Sequence, residues 1–261
     1  MKDLKTTVLN LFVCFVLLLS LPVFADKATI AVAANFTKTI EKLAEPFEKK
    51  TGHQLKFAFG STGKLYAQIV NGAPFDAFFA ADESRPLKLI ESGLANKHSY
   101  LVYAQGKLVL YTSKPIEYLV RQQPLETLKQ QKFRHLAIAN PKTAPYGEAA
   151  VSFLKSQGLF QDLASKLVNG DSIGNAFRYV ATGNADIGFL ALSQIVDPQS
   201  PLYKKGAYWI VPQSEYSPIQ QGSIVLKRGA NNKAIQDFMT YIKTPEAQKI
   251  VQNNGYAVPE K

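Results

Sequence analysis

From Lys27 onward, short β-rich apolar runs alternate with amphipathic stretches. Thr29-Ile30-Ala31-Val32-Ala33 has the composition of a buried strand. The stretch after it sets Ile40, Leu43, Ala44 and Phe47 at i, i+3, i+4 and i+7 before Gly52, which predicts a helix. Pro46 lies inside that helix and predicts a kink. A strand over Leu55 to Phe59 leads through Gly60-Ser61-Thr62-Gly63 into a helix from Lys64 to Asn71. A strand at Ala77 to Ala80 and a helix from Pro86 to Ser92, ended by Gly93, follow. After a strand at Leu108 to Tyr111 the rhythm restarts. His135 to Ala139 is a strand that runs through Asn140-Pro141 and Pro145-Tyr146-Gly147 into a helix ending near Gly158. Leu167 to Gly174 introduces a helix to Gly183, and Ile187 to Ala191 is the next strand. Strands and helices at this spacing predict two α/β units with largely parallel sheets.

A long strand at Ile219 to Leu226 and a helical segment from Lys233 to Asn253, broken near Pro245, close the chain. Packed back on the first unit, they make it discontinuous, with residues 26–106 and 219–261 in one lobe and 107–218 in the other. Tyr100 to Lys107 and Ser217 to Gly222 would then form a two-segment hinge.

The first 25 residues change the picture of location. Lys2 and Lys5 precede an apolar run from Val8 to Leu21, and Val23 and Ala25 supply the small residues of a cleavage site before Asp26. This is the three-part pattern of an export signal, too short for a comfortable membrane span. The single cysteine, Cys14, falls within it, so an exported mature chain offers no thiol for disulfides, thiolate metal sites or nucleophilic catalysis. The net charge is +10, but positives such as Lys38, Lys42, Lys49 and Lys50 stand singly, without the Arg-rich, aromatic-interleaved stripe of a nucleic-acid binder. An apolar fraction of 46% excludes a disordered chain.

The candidate chemistry lies where strands pass into helices. Asn35-Phe36-Thr37, Ser61-Thr62-Gly63, Ala144-Pro145-Tyr146-Gly147 and Ser172-Ile173-Gly174 open four helices, two in each unit. Carboxyl ends of parallel strands face one crevice, so these N-termini, each with free N–H groups and a positive dipole end, can converge on an anion. Taken singly, each junction is better explained as a helix cap, and only the four together on one rim bring the anion reading level with it. Ser61-Thr62-Gly63-Lys64 is not a nucleotide loop, because Ala58 and Leu65 stand where that motif needs Gly and Ser/Thr. His53, His98 and His135 have no metal-ligand spacing, no GxSxG elbow occurs, and Asp76, Asp82 and Asp186 fit structural bonding at strand ends better than acid–base work. Binding without chemistry fits better than catalysis.

Ala31 to Phe36, Phe59 to Leu65, Gln68 to Asp76 with Ala81-Asp82, Asn140-Pro141 to Gly147, and Ala185 to Phe189 together resemble the periplasmic molybdate-binding proteins of ABC transporters, over about Ala28 to Val258. The resemblance implies a type II periplasmic binding-protein fold of two α/β lobes holding an oxyanion between them. It implies Asn35 in the first anion-binding loop, Thr62 as hydroxyl donor in the second, and backbone N–H groups of Tyr146 and Ile173 from the other lobe. Ala34 and Ala191 depart from the hydroxyl residue and the tyrosine found there in relatives, and Ser61 is the replacement donor. The ligand implied is molybdate or tungstate, held through these same residues with no cofactor and no cation ligands. The implied partner is a membrane permease, and a monomer is expected. A binding protein for sulfate or another tetrahedral oxyanion, a sensor subunit and an exported hydrolase of an anionic substrate are the alternatives.

Overall fold

The computed structural model describes residues 25–114 and 117–258; the expected export signal lies outside them. In chain order the elements are β1 (Lys27–Ala33), α1 (Thr37–Thr51), β2 (Gln54–Gly60), α2 (Thr62–Val70), β3 (Ala77–Phe79), α3 (Ser84–Glu91), β4 (Leu101–Gly106) and β5 (Leu108–Thr112). They continue with α4 (Glu117–Gln122), α5 (Pro124–Gln130), β6 (Leu136–Ala139), α6 (Pro145–Ser156), α7 (Phe160–Leu163), β7 (Leu167–Gly170), α8 (Ile173–Ala181), β8 (Ile187–Ala191) and α9 (Leu192–Val196). The last are β9 (Ala207–Ile210), β10 (Ile219–Val225), α10 (Lys233–Tyr241) and α11 (Pro245–Asn253).

The strands form two five-stranded sheets, ordered β2-β1-β3-β10-β4 and β7-β6-β8-β5-β9, one to each lobe. Both are mixed rather than all parallel. β1 pairs in parallel with β2 and β3, and β6 with β7 and β8, while β10 and β5 run antiparallel to their neighbours. The parallel halves carry the predicted strand-to-helix rhythm, and the reversed strands are where the chain passes between lobes. It crosses at Lys107, a single residue between β4 and β5, and again over residues 211–218 between β9 and β10. Most of the expected first hinge segment is therefore regular strand β4.

Alternation along the strands builds the core of lobe 1 on both faces of its sheet. Ile30, Val32 and Phe79 pack with Phe36, Ile40, Leu43 and Phe47 of α1 and its approach, and with Phe238 of α10. Ala31, Phe78 and Ala80 face Leu65 and Ile69 of α2 and Leu89 of α3. α1 runs through Pro46 without interruption, and α10 and α11 are separate helices that break before Pro245. The register is what matters for function. β1 ends at Ala33 opposite Gly60, the last residue of β2, and β6 ends at Ala139 opposite Gly170, the last of β7. Each lobe thus delivers two neighbouring strand ends, flush with one another, into the cleft.

Candidate functional site

All four helix starts singled out in the sequence lie at this cleft. Ala34–Phe36 forms a 3₁₀ turn leading into α1, and Ser61 precedes α2. In lobe 2, Ala144 precedes α6 and Ser172 precedes α8. Contacts join them in a ring. The Gly63 N–H donates to the Thr143 carbonyl at 2.8 Å, linking α2 to the segment before α6. Lys64 Nζ lies 2.8 Å from Asp171 Oδ2, linking α2 to the segment before α8. A Cβ placed on Gly174 would stand 3.5 Å from that of Ala34. Tyr146 and Asn35 meet through Gln221, described below.

The local sequence explains which groups face the junction. The first N–H groups of a helix have no intrahelical carbonyl to accept them. In α6, Pro145 occupies the first position and has no N–H, so Tyr146 supplies the first donor of that helix. Gly147 lets the turn sit directly on the end of β6, since a Cβ there would lie 2.1 Å from the Ala139 carbonyl oxygen. In α8, the Ser172 hydroxyl accepts from the Asn175 N–H at 3.3 Å, leaving Ile173 at the helix start with its N–H in the first turn. The two hydroxyls ahead of α2 differ. Thr62 Oγ1 accepts from the Ala81 N–H at 3.0 Å. Ser61 Oγ is buried and has no hydrogen-bond partner among the described residues, and it makes no cap bond to α2.

Asn35 is only 4% exposed, and its side chain turns inward. Its Nδ2 donates to Gln221 Oε1 and to the Tyr256 hydroxyl, each at 3.0 Å. The Tyr256 hydroxyl lies 2.7 Å from the Asn35 carbonyl, which also accepts from Ser193 Oγ of lobe 2 at 3.1 Å. Gln221 Oε1 also accepts from the Tyr103 hydroxyl at 2.9 Å, and its Nε2 donates to the Tyr146 hydroxyl at 3.4 Å. A buried polar network therefore backs the junction, tying both lobes to β4, β10 and the chain end. Burial pushes the hydroxyls of Tyr103, Tyr146 and Tyr256 above their ordinary values, with neighbouring tyrosines adding to the rise at Tyr103 and Tyr146, so all three stay neutral donors and acceptors. Gln221, Tyr256, Ser193 and Tyr103 were not anticipated from the sequence. Gln221 and Tyr256 stand 186 and 221 residues from Asn35, and no local motif marks them.

Lys64 and Arg85 border the junction, and both are engaged. Lys64 pairs with Asp171, and Arg85 bonds to Asp82 and reaches the Lys142 carbonyl at 3.5 Å. The carboxylates at strand ends do structural work. Asp76 accepts from the Thr29 N–H and Arg228, and Asp186 accepts from the N–H and guanidinium of Arg134. The arrangement is rich in neutral donors, which suits a compact anion.

Known proteins share this architecture. A family described as bacterial extracellular solute-binding protein matches residues 28–257. The molybdate-binding protein ModA of Azotobacter vinelandii is 46% identical over 234 residues, which cover 90% of this chain and 91% of that one. ModA of Rhodobacter capsulatus is 42% identical over 238 residues, 91% of each chain. The solved structure of the Azotobacter vinelandii periplasmic molybdate-binding protein matches with a TM-score of 0.84 at 40% identity, over 89% of this chain and all 100% of that one. The sulfate-binding protein SubI of Mycobacterium tuberculosis, with a TM-score of 0.75 and 12% identity over 89% of this chain and 87% of that one, shares the fold alone. Carried by its two mixed sheets, its paired strand ends and these relatives, the chain belongs to the bacterial extracellular solute-binding proteins.

Proposed function

We propose that this protein captures molybdate or tungstate between its lobes and delivers it, in the periplasm, to the permease of an ABC transporter. The observation that carries the reading is the Ser61 hydroxyl, a buried polar group without a partner among the described residues, set where four helix starts converge. An unmet buried hydroxyl costs about 1–3 kcal/mol, so a site that keeps one has a use for it. A tetrahedral dianion supplies that use. Its oxygens accept from the Ser61 and Thr62 hydroxyls and from the N–H groups of Asn35, Tyr146 and Ile173. Hydrogen bonds to a charged partner are worth about 1.5–3 kcal/mol each, and roughly five of them offset the dehydration of the anion without a countercharge. A site of neutral donors also lets the anion leave. The protein binds its ligand unchanged, needs no cofactor and acts as a monomer. Relatives named as molybdate-binding proteins, at 42% and 46% identity, support the choice of oxyanion.

Thermal unfolding with molybdate, tungstate, sulfate, phosphate or nitrate tests the reading. A ligand at 100 times its Kd adds about 2.7 kcal/mol, and each kcal/mol raises the Tm of a domain this size by roughly 2–4 °C. A shift of about 5–10 °C with molybdate and tungstate alone is the expected result. An equal shift with sulfate makes the site a general oxyanion binder, and no shift with any of them refutes it.

A further inference from the structure

The second residue of α2 is a glycine that lobe 1 does not require. Gly63 has an ordinary helical backbone, and alanine is the better helix former there. The reason for glycine lies across the cleft. A Cβ on Gly63 would stand 3.0 Å from Thr143 Cα, 3.1 Å from the Thr143 carbonyl oxygen and 3.2 Å from Arg85 Nη2. The arginine end can swing away, but the first two atoms are lobe 2 backbone. They belong to a turn held at both ends. The Asn140 N–H donates to the Gly170 carbonyl at 2.7 Å, the Lys142 N–H to Asn140 Oδ1 at 3.0 Å, and the Thr143 N–H to the Asn140 carbonyl at 3.2 Å. α6 starts two residues later, so the turn cannot yield without moving the helix that carries Tyr146.

We infer that Gly63 is the closure residue of this protein: its missing side chain lets the lobes approach until its N–H bonds the Thr143 carbonyl, and that contact sets how firmly the cleft shuts. The bond is 2.8 Å long and runs between the lobes, directly from the turn bearing Ser61 and Thr62 to the turn leading into Tyr146. Contacts of 3.0–3.1 Å are tighter than ordinary packing, so a methyl group here requires the facing lobe 2 backbone to give way by a few tenths of an ångström. That displacement moves the lobe 2 donors away from an anion held by lobe 1 and lengthens every bond across the cleft. The consequence for anion retention rests on the proposed function; the steric argument does not.

The test compares wild type with Gly63→Ala and Gly63→Ser, and with Lys233→Ala, which removes only an exposed ion pair to Asp237 beside the start of β1, at the other end of that strand from the cleft. Three quantities are measured: molybdate affinity and dissociation rate, ligand-free Tm, and interlobe distances between a spin label on each lobe, with and without molybdate. Gly63→Ala is expected to keep or raise the ligand-free Tm, to weaken molybdate binding about 10- to 100-fold through faster dissociation, and to lengthen the interlobe distances. Lys233→Ala is expected to stay within about threefold of wild type. Wild-type affinity and distances in both glycine variants overturn the inference. So does a loss of affinity matched by a fall in ligand-free Tm, which places the role inside lobe 1. A wild type that binds no oxyanion refutes the proposed function instead. The ligand-free distances then decide, with unchanged spacing in Gly63→Ala overturning the closure role and longer spacing upholding it.

Discussion

Ser61 and Thr62 are adjacent hydroxyls at the start of one helix, yet the structure assigns them opposite dependences, which makes their replacement a sharp experiment. Ser61→Ala removes a group that bonds nothing in the described protein and makes no cap bond to α2. The usual cost of losing a helix cap, about 0.5–2 kcal/mol, does not arise, so ligand-free stability should hold or rise slightly. Against a bound dianion the same change deletes one charge-assisted hydrogen bond worth about 1.5–3 kcal/mol, which raises the Kd roughly 10- to 160-fold. Thr62→Val does the reverse to stability. It strips the acceptor from the buried Ala81 N–H, now bonded at 3.0 Å, at a cost of about 1–3 kcal/mol. A fall in ligand-free Tm of roughly 2–12 °C follows. Calorimetric titration with molybdate, paired with thermal unfolding of each ligand-free variant, reads both quantities. A Ser61→Ala protein with wild-type affinity and a lowered Tm would refute the argument, because it would show the hydroxyl to be a structural cap.

Other consequences follow from the network and the carboxylates. Asn35→Asp sets a carboxylate oxygen against Gln221 Oε1 in place of an N–H donor and adds charge beside the anion, so both the ligand-free Tm and molybdate binding should fall sharply in the same two assays. Tyr146→Phe should leave affinity within about threefold, since its hydroxyl accepts from Gln221 Nε2 at a long 3.4 Å while the main chain is the proposed donor; a tenfold loss would assign the hydroxyl to the site. Burial would raise the Asp186 carboxyl, but its bonds to Arg134 and the charges of Arg134 and Lys114 more than offset this and hold it below the usual range. It therefore stabilises the fold above its unfolded value near pH ~3.9 and ceases to as pH falls through its lower folded value, so Asp186→Asn should flatten the decline of Tm below about pH 4. Molybdate affinity should stay level from about pH 6 to 9, as calorimetry across that range would show, because the raised tyrosines behind the site remain protonated.

The parts of this architecture that the sequence discloses are those with local physics. β1 and β6 are largely apolar runs that give way to Asn35 and Asn140, β2 and β7 end at Gly60 and Gly170 before Ser or Asp, and periodicity marks the helices after them. The reversed strands are harder to read. β4 runs into β5 with only Lys107 between them, so Tyr100 to Tyr111 is one β-rich stretch marked by a single Gly106, although its halves serve different sheets. β9 is a four-residue edge strand whose alternation, Ala207 buried and Tyr208 exposed, is too short to register against its surroundings. The polar network is invisible for another reason. Gln221 lies in a strand, Tyr256 after the last helix, and only the tertiary fold brings them to Asn35. The inward turn of the Asn35 amide follows from those partners, so the residue was legible while its orientation was not.

The same network bears on which anions the site favours. Phosphate near neutral pH retains a proton, and burying it without an acceptor costs about 1–3 kcal/mol, or roughly 5- to 150-fold in affinity, whereas molybdate, tungstate and sulfate carry none. A carboxylate at the junction would supply that acceptor. Two carboxylates at its rim are already engaged, Asp171 with Lys64 and Asp82 with the Arg85 N–H and guanidinium. Rejection of protonated oxyanions then depends on keeping those acids paired. Lys64→Met frees Asp171 beside the first turn of α8 and removes a positive charge from the rim, so the ratio of molybdate to phosphate affinity should fall, chiefly through weaker molybdate binding. Competition calorimetry in high salt separates the two causes, since the long-range charge effect is screened within about 3 Å at 1 M while a direct hydrogen bond from phosphate to Asp171 is not. A ratio that recovers at high salt assigns the discrimination to the field at the rim, and one that stays low assigns it to a new acceptor.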